Sequence, residues 1–127
     1  MPITGGCYCG AVRYQTDAAP LHQTNCHCGN CRRVSGAQAV AWITVPAGTF
    51  AWVQGDPVRY RTDTQATRTF CGVCGTPLTY QNDHRPDEID LTTGSLDDPE
   101  AFPPNQDVFP EERLSWVPLV RERPVGT

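Results

Sequence analysis

The 127-residue sequence predicts a mainly β protein, with short strands folded back on one another and little helix. Three observations carry this. β-branched and alternating segments of three to seven residues recur along the chain. Turn residues separate them: Pro46-Ala47-Gly48, Gly55-Asp56-Pro57 and Asn82-Asp83-His84-Arg85-Pro86. The 11 glycines and 12 prolines suit turns far better than long helices.

Taken in order, strands are expected at Ala11–Gln15, Gln23–Cys26, Ala39–Val45, Phe50–Gln54, Val58–Arg61, Thr67–Phe70, Leu78–Tyr80 and Glu88–Thr92. A turn of helix is expected after Cys28, running toward Val34 until Ser35-Gly36 stops it. A second short helix is expected after Asp98, whose side chain would cap while Pro99 takes the first helical position. The proline-rich tail from Pro103 carries Leu114, Trp116, Val117, Leu119 and Val120, enough apolar surface to pack. No internal repeat, low-complexity tract or linker interrupts the chain, so residues 1–127 read as a single domain.

Composition narrows the function. With 39% apolar and 19% charged residues the chain is globular. A net charge of -4 argues against nucleic acid as a partner. No apolar run reaches the roughly 20 residues of a membrane span. The start, Met1-Pro2-Ile3-Thr4-Gly5-Gly6, lacks the basic and apolar stretches of a secretory signal, so a cytoplasmic location is expected.

The informative residues are seven cysteines, grouped as Cys7 and Cys9, then Cys26, Cys28 and Cys31, then Cys71 and Cys74. An odd number in a reducing compartment disfavours a disulfide framework, and bridges across such short loops would remove little chain entropy. Close spacing is what a small soft cation requires of several thiolates. On an extended strand Cys7 and Cys9 would share one face. Cys71-Gly72-Val73-Cys74-Gly75 forms a knuckle, and glycines after Cys9, Cys28, Cys71 and Cys74 offer positive-φ backbone that can aim N–H groups at sulfur.

If the middle triplet serves one ion, Cys7, Cys9, Cys71 and Cys74 form a complete four-thiolate set, closed and therefore structural. Another partition joins Cys28 and Cys31 to Cys71 and Cys74 and leaves Cys7, Cys9 and Cys26 over. The triplet itself reads as either an open catalytic site or a second structural site completed by His27 or a distant group.

The segments Gly5-Gly6-Cys7-Tyr8-Cys9-Gly10, Cys26-His27-Cys28-Gly29-Asn30-Cys31-Arg32-Arg33 and Arg68-Thr69-Phe70-Cys71-Gly72-Val73-Cys74-Gly75 resemble the glutathione-dependent formaldehyde-activating enzyme family, to which the centromere protein V domain also belongs. Asp87-Glu88-Ile89, Ser95-Leu96-Asp97-Asp98-Pro99 and Arg113-Leu114-Ser115-Trp116 extend the likeness over nearly the whole chain. The resemblance implies a β-tent fold of short antiparallel strands around two zinc sites. Carried onto this chain, Cys7, Cys9, Cys71 and Cys74 hold a structural zinc, and Cys26, Cys28 and Cys31 hold a catalytic one. It also implies a carbon–sulfur lyase that joins glutathione, or another small thiol, to formaldehyde or a related aldehyde, giving an S-hydroxymethyl adduct. The thiol would take the open position of the three-cysteine zinc. A non-catalytic zinc module that binds a thiol, a small adduct or a protein partner is the alternative. One departure stands out: where relatives often carry a histidine after the Pro-Pro of the tail, this chain has Asp107.

Arg32 and Arg33 directly follow a ligand and are the expected partners for the carboxylates of the thiol. His27 on a strand would point away from the sulfurs. His22 and His84 have no visible partner. Trp42, Phe50, Trp52 and Trp116 are expected in the core, and Asp83, Asp87, Glu88 and Asp90 on a solvated face.

Overall fold

Alternation along the strands divides the molecule into two packed faces. The structure, a computed structural model, describes residues 2–122. Ten strands make two sheets: β1 (Ile3–Gly6), β2 (Arg13–Thr16) and β5 (Phe50–Gln54) in one, and seven in the other. The larger sheet has the order β10 (Gln106–Val108), β3 (His22–Cys26), β4 (Val40–Pro46), β9 (Glu88–Thr92), β8 (Pro77–Asn82), β7 (Ala66–Phe70) and β6 (Val58–Arg61). Every pairing in it is antiparallel except β10 with β3. The mainly β class is as expected. Three strands match their predicted bounds: β5, β6 and β9. β1 and β10 were not foreseen, and β2 begins two residues later than expected because Ala11 and Val12 belong to the loop that follows the first cysteines.

One face of the large sheet packs on the small sheet. Ile43 and Val45 of β4, Leu91 of β9 and Leu78 of β8 are completely buried there against Tyr14 of β2, with Phe50 and Trp52 stacked beside Tyr14. Trp42, Thr44 and Asp90 alternate with these core positions and turn to the opposite face, joined by Tyr80, which the register shift beside Leu78 carries to that side. There a second, smaller cluster gathers Cys26, Cys31, Val40 and Trp42.

Helix α1 (Gly29–Ser35) forms where expected and ends at Gly36, whose φ of 63° lets its N–H reach Arg32 O. After Asp98 only a 3-10 turn forms, Pro99–Ala101. Proline opens it, but the Asp98 side chain makes no capping bond because its backbone lies outside the usual capping region. In the tail, Val117 and Leu119 are buried, whereas Trp116 is 67% exposed, contrary to expectation. The turn closed by Val117 N–H on Leu114 O directs Val117 inward and Trp116 out.

Candidate metal centres and the cavity

Two loops more than 60 residues apart in sequence build the first centre. Cys7-Tyr8-Cys9-Gly10 is a turn rather than the extended strand expected: Gly10 N–H donates to Cys7 O (3.1 Å), and Gly10 has φ 82°. Cys71-Gly72-Val73-Cys74-Gly75 turns in the same manner, closed by Gly75 N–H on Cys71 O (2.8 Å) with Gly75 at φ 83°. Tyr8 N–H donates to Thr76 Oγ1 across the two loops (3.0 Å). The four sulfurs lie within 4.8 Å of one another, with Cys7–Cys9 at 3.7 Å and Cys9–Cys71 at 3.8 Å. Sulfurs about 2.3 Å from one zinc at tetrahedral angles stand about 3.8 Å apart, whereas a disulfide needs about 2.05 Å. The spacing therefore fits a four-coordinate ion. N–H groups aimed at sulfur come from Val12 (to Cys7, 3.2 Å) and from Val73 and Cys74 (to Cys71, both 3.4 Å), not from the glycines. The Thr76 hydroxyl and backbone hold the Cys74 thiol down to about 5.

The second centre gathers Cys26 at the end of β3, Cys28 at the cap of α1 and Cys31 in its first turn, all sulfurs within 4.8 Å. The alternative partition is thereby excluded, since Cys28 and Cys31 group with Cys26. Cys31 N–H donates to Cys28 Sγ (3.3 Å), and Glu112 accepts the Gly29 N–H that opens the helix (3.2 Å). The hydrogen bond shared with Cys26 holds the Cys31 thiol down to about 5 against burial, and the Arg68 guanidinium adds to it. Cys26 is raised by its partner Cys31 and by burial. Among the described residues no fourth His, Cys, Asp or Glu ligand atom joins this group. His27, fully buried, faces the other way: its Nε2 lies 2.8 Å from Asp107 Oδ1. The donor set thus suits a thiophilic cation with one coordination position left over.

All three cysteines line a cavity of about 680 Å³, within the usual size of a small-molecule site. Its floor is the outer face of the large sheet. Cross-strand register sets His22, Thr44, Asp90, Tyr80 and Arg68 side by side across β3, β4, β9, β8 and β7. Thr24 and Trp42 form the next row, and Val108 beside Cys26 the one after. Asp90 departs from the solvated face expected of it. Its side chain is only 14% exposed, accepts from Thr44 Oγ1 (2.6 Å) and pairs with Arg85, and burial raises its carboxyl pKa.

Of the arginines singled out in sequence, Arg32 is half-buried with Nε on His27 O (3.4 Å), and Arg33 is exposed; neither lines the cavity. Arg68 and Arg85 do. Arg68 carries no local signal of its role, because burial of an arginine in an alternating strand depends on what packs over it.

A family model described as glutathione-dependent formaldehyde-activating enzyme matches residues 2–112. A crystal structure of a Rhodobacter sphaeroides protein superposes with a TM-score of 0.68 at 25% identity, over 83% of this chain and 99% of that one.

Proposed function

The chain belongs to the glutathione-dependent formaldehyde-activating enzyme family, and from that premise we propose that it is a zinc-dependent carbon–sulfur lyase joining glutathione, or a similar small thiol, to formaldehyde or a related aldehyde. The observation that supports this is the convergence of Cys26, Cys28 and Cys31 on the wall of a 680 Å³ cavity, with no fourth His, Cys, Asp or Glu ligand among the described residues. A zinc ion held there would supply a position at which a thiol is deprotonated. Cys7, Cys9, Cys71 and Cys74 would hold the structural zinc that fastens the two loops.

The rest of the chemistry falls to the cavity. The sulfur attacks the aldehyde carbon, the C–S bond forms, and the carbonyl π pair moves to oxygen, which takes up the proton the thiol released. Trp42 and Val108 keep water from the cysteine end. Arg85, half exposed on the turn between β8 and β9, offers a guanidinium fork to a carboxylate of the thiol, with the exposed Glu112 on the cavity wall to meet its ammonium group. Arg32 and Arg33 are left without this part.

Two measurements test the reading. Metal analysis is expected to give two zinc ions per chain. Exchange spectroscopy of thiol–formaldehyde adduct formation is expected to show acceleration that Cys28→Ala abolishes. Equal rates with and without protein would overturn the enzyme reading and leave a binding module.

A further inference from the structure

Arg68 is a buried cation with no carboxylate. It is 7% exposed, whereas Arg13, Arg59, Arg61, Arg85 and Arg113 all form ion pairs with acidic side chains. None of the ion pairs among the described residues includes Arg68. The guanidinium lies 4.7 Å above the Tyr80 ring, and Nη2 is 3.7 Å from Cys31 Sγ. Nη1 is buried without any hydrogen-bond partner. An isolated charge in such surroundings costs several kcal/mol unless an opposite charge compensates it. Among the described residues, the potential anion within reach of its guanidinium hydrogens is Cys31 of the triplet.

We propose that Arg68 is a positioning residue that serves as the built-in counter-ion of the Cys26–Cys28–Cys31 centre. The inference rests on the zinc reading above. Three cysteinates around a divalent ion carry one net negative charge, and the single charge of Arg68 cancels it. The neutral pair leaves the fourth position open to one further anionic sulfur, where an uncompensated centre would repel it. The N–H donated to Cys31 also draws electron density from that ligand, and Tyr80, Arg68's register partner on β8, holds the guanidinium in place. This accounts for a buried arginine on β7 whose ion pairing the one acid of its row, Asp90, gives to Arg85 instead.

The test uses protein from which limited chelation has removed the weaker metal, leaving one zinc per chain. Zinc and then cobalt(II) are titrated back into wild type, Arg68→Lys, Arg68→Gln and Arg68→Met. Affinity for the second equivalent is read by chelator competition, and the thiolate-to-cobalt charge-transfer band by absorbance. R68K is expected to stay within about 5-fold of wild type, while R68Q and R68M bind about 10–100-fold more weakly, the usual cost of losing a group that supports a metal ligand. The charge-transfer band is expected to move to lower energy in R68Q and R68M, since Cys31 becomes a stronger donor. The melting temperature of the two-metal form should fall more in R68M than that of the one-zinc form, because only the metal draws three cysteinates together beside the position that Arg68 occupies. R68Q binding as tightly as R68K, or equal losses of melting temperature in both forms, would overturn the proposal. Should R68M fail to fold, the R68K and R68Q comparison decides alone. Wild-type protein that takes up no second metal would refute the zinc reading and this proposal together; two metals held equally by wild type and R68Q would refute only the role of Arg68.

Discussion

Asp107 reaches across 80 residues of sequence to His27, its Oδ1 lying 2.8 Å from the imidazole Nε2, and its Oδ2 accepts the backbone N–H of Val120 at 2.9 Å. His27 separates two of the cavity cysteines, so this one carboxylate ties β10 and the C-terminal tail to the segment that carries Cys26 and Cys28. Both side chains are buried. Asp107→Ala would strand a buried imidazole N–H and the Val120 N–H, and is expected to lower stability by about 2–4 kcal/mol. Asp107→Asn can still accept from Val120 with its oxygen, and its nitrogen can donate to His27 only once the imidazole proton moves to the buried, unpartnered Nδ1, so it should lose an intermediate amount, about 1–2 kcal/mol. Urea denaturation of the two variants checks the order; equal losses would show that the carboxylate is not the clamp.

A zinc held by the four-cysteine centre would supply a different kind of stabilisation. Its loops join β1–β2 of the small sheet to β7–β8 of the large one. A structural zinc contributes about 10–16 kcal/mol of apparent binding energy, more than the whole stability of a typical domain. Cys9→Ser is therefore expected to reduce the metal content by one ion and to leave a chain that circular dichroism shows as largely unfolded at 37 °C. Excess strong chelator should unfold the wild type in the same way. A chelated protein that keeps its cooperative melting would show that the sheets hold together unaided.

How much of this is legible in sequence depends on whether the cause is local. Phe50–Gln54, Val58–Arg61 and Glu88–Thr92 are bracketed by turn residues, and their bounds follow from that punctuation. Ile3–Gly6 ends in Gly5-Gly6 and carries no strand signal, yet it is a strand. A Cβ on Gly5 would come within 2.4 Å of Tyr14 Oη and 2.6 Å of Ser95 O, so glycine is there for close packing and not for bending. Gln106–Val108 is polar and three residues long, and only its parallel register with β3 makes it a strand. The cysteine groups are visible because ligand spacing is a short-range property. The cavity floor is not: His22, Thr44, Asp90, Tyr80 and Arg68 come from five strands, and nothing within any one of them marks the row.

Tyr14 gives the pH dependence a clear sign. It is fully buried, shares a 2.6 Å hydrogen bond with Ser95 Oγ, and burial pushes its pKa from 10 up to about 12. The folded protein then holds this proton more tightly than the unfolded chain between those values, so stability falls as pH rises through the window. The difference amounts to about 2–3 kcal/mol once both states are ionised. Tyr14→Phe should lose about 1 kcal/mol at neutral pH, the hydroxyl's bond, but show a shallower decline from pH 10 to 12. Denaturation at stepped alkaline pH separates the two; parallel curves would mean that Tyr14 does not titrate late.

Arg85 and Arg33 provide the sharpest contrast for substrate binding. Arg85 lines the cavity, with Nη1 on Glu88 Oε1 at 2.9 Å and Nη2 on Asp90 Oδ2 at 3.5 Å, a loose pairing that leaves donors of its fork for another anion. Arg33 is exposed on α1 and lies outside the cavity. If Arg85 meets a carboxylate of the thiol in ground state and transition state alike, removing it weakens binding without slowing the bound complex. Arg85→Ala is therefore expected to raise the KM for glutathione about 10-fold with kcat within about twofold, as loss of one charge-assisted hydrogen bond implies. Arg85→Lys should recover part of the loss, while Arg33→Ala should leave both constants unchanged. Steady-state kinetics with glutathione and with a thiol lacking carboxylates make the comparison decisive, because the penalty of R85A should disappear with the uncharged thiol. A KM that rises in R33A and not in R85A would move the carboxylate site from the turn between β8 and β9 to the helix.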